Sequence, residues 1–138
     1  KNKLIIGCAG YGKAYKVTGG SGTYPALGIS GTLTKISSYD GSFASGTVYG
    51  SVINQLMKSG RYKVYTELNN NGQVVGSYLY SETDKIFVTF DSKEAVMAKY
   101  EYAALNGVGM MCWAYTEDTA DIVIDAIYEA KNKWFLNF

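Results

Sequence analysis

Histidine is absent from these 138 residues. That removes a Ser-His-Asp triad, a Cys-His pair and any His-ligated metal site from the chemistry open to this chain. Cysteine is scarce. Cys8 and Cys112 stand far apart with no metal-type spacing, so neither a metal nor a cofactor is expected. Each sits in an apolar run, where an inert buried thiol is the first reading and a disulfide the second. The net charge is only +1, and lysines and arginines cluster nowhere. This gives no general attraction to nucleic acid or to an anionic membrane. No apolar stretch approaches the ~20 residues of a membrane span. The only proline is Pro25. An initiator methionine and a signal-peptide pattern are missing from Lys1 onward, so the chain reads as part of something longer.

What is present is enough for one compact domain. Apolar residues make up 47% and charged residues 18%, a balance that lets a soluble chain bury a core. Tyrosine is in excess, 13 residues beside 2 tryptophans and 16 glycines. Rings with a polar tip serve sugar or partner surfaces, and tyrosine is also a good strand former; both readings stand.

The run Leu4 to Cys8, LIIGC, predicts a strand buried on both faces. It ends in Gly10-Tyr11-Gly12-Lys13, which reads as a loop. From Thr18 to Gly46 the chain is rich in Gly, Ser and Thr, and reads as a long irregular segment kept for a purpose. Apolar residues at Val48, Val52, Ile53, Leu56 and Met57 predict a helix over Thr47 to Lys58, ended by Gly60. RYKVYTE (61–67) and QVVGSYLY (73–80) flank the turn Asn69 to Gly72, a hairpin signal, and Ile86 to Phe90 predicts a third strand. Asp91 to Glu94, DSKE, opens a helix through about Leu105 with Asp91 as its cap, and Asn106-Gly107 closes it. Val108 to Tyr115 predicts a second core strand. Asp118 or Thr119 then caps a last helix with Ile122, Val123, Ala126, Ile127 and Ala130 on one face. The plan is strand, crossover, strand, with a small α+β module inside the crossover.

In this order the pieces resemble the C-terminal part of a family 18 glycoside hydrolase, the chitinase family. KLIIGCAGYGKAY resembles that family's K-L-x-x-G-x-P-x-Y-G-R around its seventh barrel strand. Tyr11 and Gly12 match, while Lys13 replaces Arg and Ala9 replaces Pro. The run from Ser77 to Asp118 resembles P-Y-x-Y, F-V-x-Y-D-D, a helix, then G-G-x-M-x-W. There Ser77 replaces Pro, Phe90 replaces Tyr, Ser92 replaces the second Asp and Val108 replaces the first Gly. The resemblance spans essentially the whole chain.

It implies an α/β fold, the C-terminal portion of a (β/α)8 TIM barrel with an inserted α+β subdomain. On that reading 1–15 is a barrel strand and cleft loop, 16–86 the insertion, and 87–138 the terminal helix-strand-helix. It also implies that the parent is a secreted, extracellular enzyme. The parent would cleave β-1,4-linked N-acetylglucosamine (GlcNAc) polymers by a retaining mechanism in which the substrate's own acetamido group attacks. The family's acid-bearing run D-x-x-D-x-D-x-E does not occur in these residues. This chain alone is therefore expected to be inactive, with no catalytic residue. A non-catalytic chitinase-like protein that binds GlcNAc polymers is the alternative, for which the departures at Lys13, Ser51 and Ser92 leave room; a stable subdomain without a site is a third.

The resemblance assigns Trp113 as the floor of a sugar subsite, where from the residues alone a core tryptophan is favoured. It makes Tyr11 and Lys13 cleft residues contacting sugar. Lysine lacks arginine's planar fork, so a solvated loop charge is the competing reading for Lys13. Glu117 and Asp118 are expected to serve the loop and the next helix. Ser51 stands where related chitinases direct a Glu toward substrate. Tyr62, Tyr65, Tyr78 and Tyr80 are expected to pack the insertion's sheet, one or two reaching the distal cleft. The partners are thus chitin or GlcNAc oligosaccharides, with neither nucleic acid nor membrane. A partial barrel would leave strand edges open, so the isolated segment is expected to self-associate.

Overall fold

A computed structural model describes residues 3–19 and 28–136. The fold is mixed α/β, built on two sheets. The first is a parallel pair, β1 (Ile5–Ala9) with β8 (Gly109–Trp113), in a register that sets Cys8 opposite Cys112 and Ala9 opposite Trp113. The second has six strands, all antiparallel: β2 (Tyr11–Val17), β3 (Gly31–Leu33), β4 (Thr47–Tyr49), β5 (Lys63–Leu68), β6 (Val74–Ser81) and β7 (Ile86–Phe90). Its order is β3-β2-β7-β6-β5, and β4 continues β3's edge of β2. The helices are α1 (Gly50–Lys58), α2 (Lys93–Asn106) and α3 (Ile122–Leu136), with a 3-10 turn at Tyr115–Glu117.

The apolar spacing expected of a helix is realised in α1, whose Val52, Ile53 and Leu56 are buried against Ala14, Leu79 and Val88 of the large sheet. The reverse face of that sheet carries Tyr78 and Tyr80, both buried, with Tyr65 and Phe87 packed on them. Tyr78 stacks between Tyr65 at 5.0 Å and Phe87 at 4.7 Å. Tyr62 instead lies in the core beneath α1. A second core joins Cys8 to Val96, Val123 and Ala126, so α2 and α3 cover one face of the β1–β8 pair.

Several expectations change. Tyr11–Val17 is a strand, not a loop, because its backbone bonds to β4 on one side and β7 on the other. Thr47–Tyr49 is likewise a strand, so the helix begins at Gly50. Gly31–Leu33 interrupts the segment read as irregular, while Pro25 lies outside the described residues. The β1 and β8 runs are not buried on both faces. Ile5, Met111 and Trp113 face away from the helices and stay exposed. Among the described residues, neither outer edge of that pair meets another strand.

Asp91 is also reassigned. Ser92 caps α2, its Oγ accepting the Ala95 N–H at 3.2 Å. Asp91 stands one place before that cap, and its carboxylate is used elsewhere. Its Oδ2 accepts the Ala9 N–H at 2.8 Å and the Lys99 ammonium at 2.6 Å, which ties the end of β1 to α2. Gly107, at φ 62°, closes that helix as expected.

Both thiols are free. Burial pushes the Cys8 thiol up to about 11, and burial also raises Cys112, so the thiolate form of each is disfavoured.

Candidate functional site

The C-terminal end of the β1–β8 pair is where the two sheets join. Gly10 is the link between them. Its N–H donates to the Trp113 carbonyl at 2.9 Å, and a Cβ added there would lie 2.6 Å from the Ala114 oxygen. No side chain fits, and the two strand ends close against each other. The Trp113–Ala114 peptide is cis. Trp113 is 65% exposed and Tyr115, just beyond it, 66%. Alternation along β8 turns Met110 and Cys112 toward the helices and Trp113 to the open face.

Tyr11 begins β2 directly after Gly10, so it shares this end with Trp113. Alternation puts Tyr11 and Lys13 on one face of β2, where their register partners on β4 are Tyr49 and Thr47. The Lys13 ammonium donates to Thr47 Oγ1 at 2.8 Å and to the Ser45 carbonyl at 3.4 Å, and lies 5.5 Å from the Tyr11 ring centre. Lys13 is therefore held by the protein, not free in solvent. Tyr49 was not singled out by sequence, since only its pairing with Tyr11 brings it here.

Asp118 anchors the end from below. It is buried, and its Oδ2 accepts the N–H groups of Val123 at 2.9 Å and Ile124 at 3.0 Å, capping α3. Its Oδ1 meets no hydrogen-bond partner among the described residues; Gly50, at the start of α1, packs close enough that a Cβ there would lie 3.3 Å from it. Next to it, Thr119 Oγ1 accepts the Ser51 N–H at 2.9 Å. The N-terminal ends of α1 and α3 thus converge on one carboxylate, whose charge both helix dipoles favour. Glu117 Oε2 accepts the Ala114 N–H at 3.3 Å, holding the turn after Trp113. We expect Asp118→Ala to cost about 1–3 kcal/mol, for the lost cap and a buried orphaned N–H, with Asp118→Asn milder. Urea unfolding would measure it; an unchanged midpoint for Asp118→Ala would refute the anchoring role.

Chemically, this end offers flat rings, hydroxyls and one ammonium. Its carboxylates, Asp91, Glu117 and Asp118, are each engaged with backbone N–H groups. Among the described residues, no group of three or more Cys, Asp or Glu side chains could hold a metal ion. Side chains of these kinds suit a neutral polyhydroxylated ligand. Elsewhere, a groove of about 830 Å³ runs along α2 beside Ile6, Leu105 and Trp134.

The model of the family described as glycosyl hydrolases family 18 matches residues 1–118. A probable endochitinase of Orgyia pseudotsugata multicapsid polyhedrosis virus is 29% identical over 124 residues, covering 88% of this chain and 20% of that protein. Among solved structures, a class V chitinase from Nicotiana tobaccum superposes with a TM-score of 0.68 at 19% identity, over 94% of this chain and 34% of that one. A class V chitinase mutant from Cycas revoluta, in complex with (GlcNAc)3, gives 0.66 at 19% identity, over 94% and 34%. The chain therefore spans a fifth of the viral relative and about a third of the plant structures.

Proposed function

We infer function from family: this chain belongs to glycosyl hydrolases family 18, and we propose that it supplies cleft wall and sugar-stacking residues to a secreted chitinase-type hydrolase. The observation that carries the reading is the exposed Trp113 ring at the joint of the two sheets, where the Trp113 carbonyl accepts the N–H of Gly10, the residue before Tyr11. A ring so placed offers a flat apolar surface to a pyranose, and the neighbouring hydroxyls and Lys13 ammonium match its polar rim. In this proposal the β1–β8 pair forms the last two strands of a (β/α)8 barrel, whose sites gather at the C-terminal ends of strands. The six-stranded sheet with α1 is the inserted subdomain. The substrate is a β-1,4-linked GlcNAc polymer, cut with retention by its own acetamido oxygen once an acid outside these residues protonates the leaving group. By itself the chain binds sugar without cleaving it.

Calorimetric titration tests this. We expect a GlcNAc tetramer to bind and a glucose tetramer of the same linkage to bind at least tenfold more weakly, a difference of about 1.4 kcal/mol. No new reducing ends should form. Equal binding of both sugars, or of neither, would remove the support for a GlcNAc site.

A further inference from the structure

The two cysteines take no part in the sugar site, yet they are register partners on neighbouring strands: Cys8 of β1 stands opposite Cys112 of β8. Residues paired in this way point their side chains to the same face of a sheet, here the face under α2 and α3. Cys8 is 1% exposed and packs with Val96, Val123 and Ala126, while Cys112 lies half-buried against the same cluster. Far apart in sequence, the two thiols are brought together by that register alone.

Strand geometry decides what such a pair can do. Adjacent strands run about 4.8 Å apart, inside the Cα separation of about 4.4–6.8 Å that a disulfide spans. On parallel strands the two Cα–Cβ bonds point the same way, so the Cβ atoms stay near that spacing, wider than the ~3.8 Å of a relaxed disulfide. The bond can close only by drawing the strands together, and a link strained in this way is easily reduced. Burial opposes the Cys8 thiolate, and Lys99, whose ammonium reaches the Gly7 carbonyl at 3.3 Å, partly offsets it. Burial also opposes the Cys112 thiolate, reinforced by Asp118, Asp91 and Glu117. A metal does not compete for the pair, because among the described residues no group of three or more Cys, Asp or Glu could hold one.

We propose that Cys8 and Cys112 are a reversible redox pair, which closes to a cross-strand disulfide when the chain meets a small disulfide oxidant such as oxidised glutathione. The more accessible Cys112, as thiolate, attacks the oxidant, forms a mixed disulfide and releases one thiol. The Cys8 thiolate then attacks Cys112 Sγ and displaces the second thiol. The net change turns two cysteine thiols and one small disulfide into one cross-strand disulfide and two small thiols, which carry away both protons and both electrons. Closure ties β1 to β8 one residue before Ala9 and Trp113, so it stiffens the joint where Gly10 bonds to the Trp113 carbonyl. The pair stands on the register and is independent of the sugar reading.

The test holds the folded 138-residue chain in glutathione buffers of graded oxidised-to-reduced ratio, quenches with acid, and alkylates free thiols in denaturant before mass measurement. We expect a monomeric product two hydrogens lighter that takes up no alkyl group and returns to the dithiol in excess reduced glutathione. Its urea midpoint should exceed that of the reduced chain, because the link constrains the unfolded state. Cys8→Ala should stop at a glutathione adduct on Cys112, and Cys112→Ser should leave the buried Cys8 reduced. Two alkylated thiols in the parent chain at the most oxidising ratio would overturn the pair, as would glutathione adducts on both cysteines or cross-linked dimers in place of the monomeric product. A link that survives excess reduced glutathione would overturn its reversibility, and an unchanged or lower urea midpoint would overturn the stiffened joint.

Discussion

Trp113→Ala is expected to weaken GlcNAc-oligomer binding about thirtyfold or more while leaving folding stability within about 0.5 kcal/mol. The asymmetry follows from where the ring sits. At 65% exposure, Trp113 contributes little to either core, so its removal opens no cavity. A bound pyranose would cover one face of the indole, of order 100 Å² of apolar surface. At ~25 cal/mol per Å² that is about 2.5 kcal/mol. Trp113→Phe should keep part of the affinity, because a smaller flat face remains. Calorimetry and urea unfolding on the same preparations decide the matter. A large fall in stability with binding preserved would make Trp113 a packing residue and end its assignment to the site.

The second large effect is structural. Gly12→Ala should destabilise the chain by about 3 kcal/mol or more. A Cβ there would lie 2.4 Å from the Thr89 carbonyl oxygen, 3.1 Å from Val88 Cγ1 and 3.2 Å from Ile53 Cδ1. The nearest obstacle is backbone and cannot rotate aside, so β2 and β7 would have to part. Lys13 and Ala14, which pair with Thr89 and Val88, would move with them, disturbing both the Lys13–Thr47 contact and the core beneath α1. Against a total stability of about 5–15 kcal/mol, a loss of that size lowers the urea midpoint markedly. Gly7→Ala is the control, since a Cβ at Gly7 meets nothing within 4 Å. Similar midpoint shifts for the two variants would contradict the close approach at Gly12.

The resemblance carried by Tyr11-Gly12, the FVTFDS run and GMMCWAY led to the family from sequence alone, and the family model agrees over residues 1–118. Local signals also placed the Asn69–Gly72 hairpin, α2 with its Gly107 close, and α3 with Asp118 at its start. These features are written within a few residues of where they act. Periodicity, a cap or a turn needs no knowledge of the rest of the chain.

Pairing at a distance needed the tertiary structure. Gly10 to Lys13 reads as a loop by composition. It becomes a strand because Thr47–Tyr49 and Ile86–Thr89, far along the chain, supply its hydrogen bonds. The same register brings Tyr49 opposite Tyr11, which no local pattern announces. Asp91 looks like a cap in sequence, yet its carboxylate serves Ala9, 82 residues earlier. Burial, too, was decided at this level: LIIGC and GMMCW have the composition of doubly covered strands, but among the described residues α2 and α3 cover one face and Ile5, Met111 and Trp113 stay exposed on the other. Sequence by itself determined the family, the helices and the ring at the end of β8, because those depend on residue identity and near neighbours. Which rings share a face, and which face stays open, depended on where distant strands met, and strand register is a property of the folded chain.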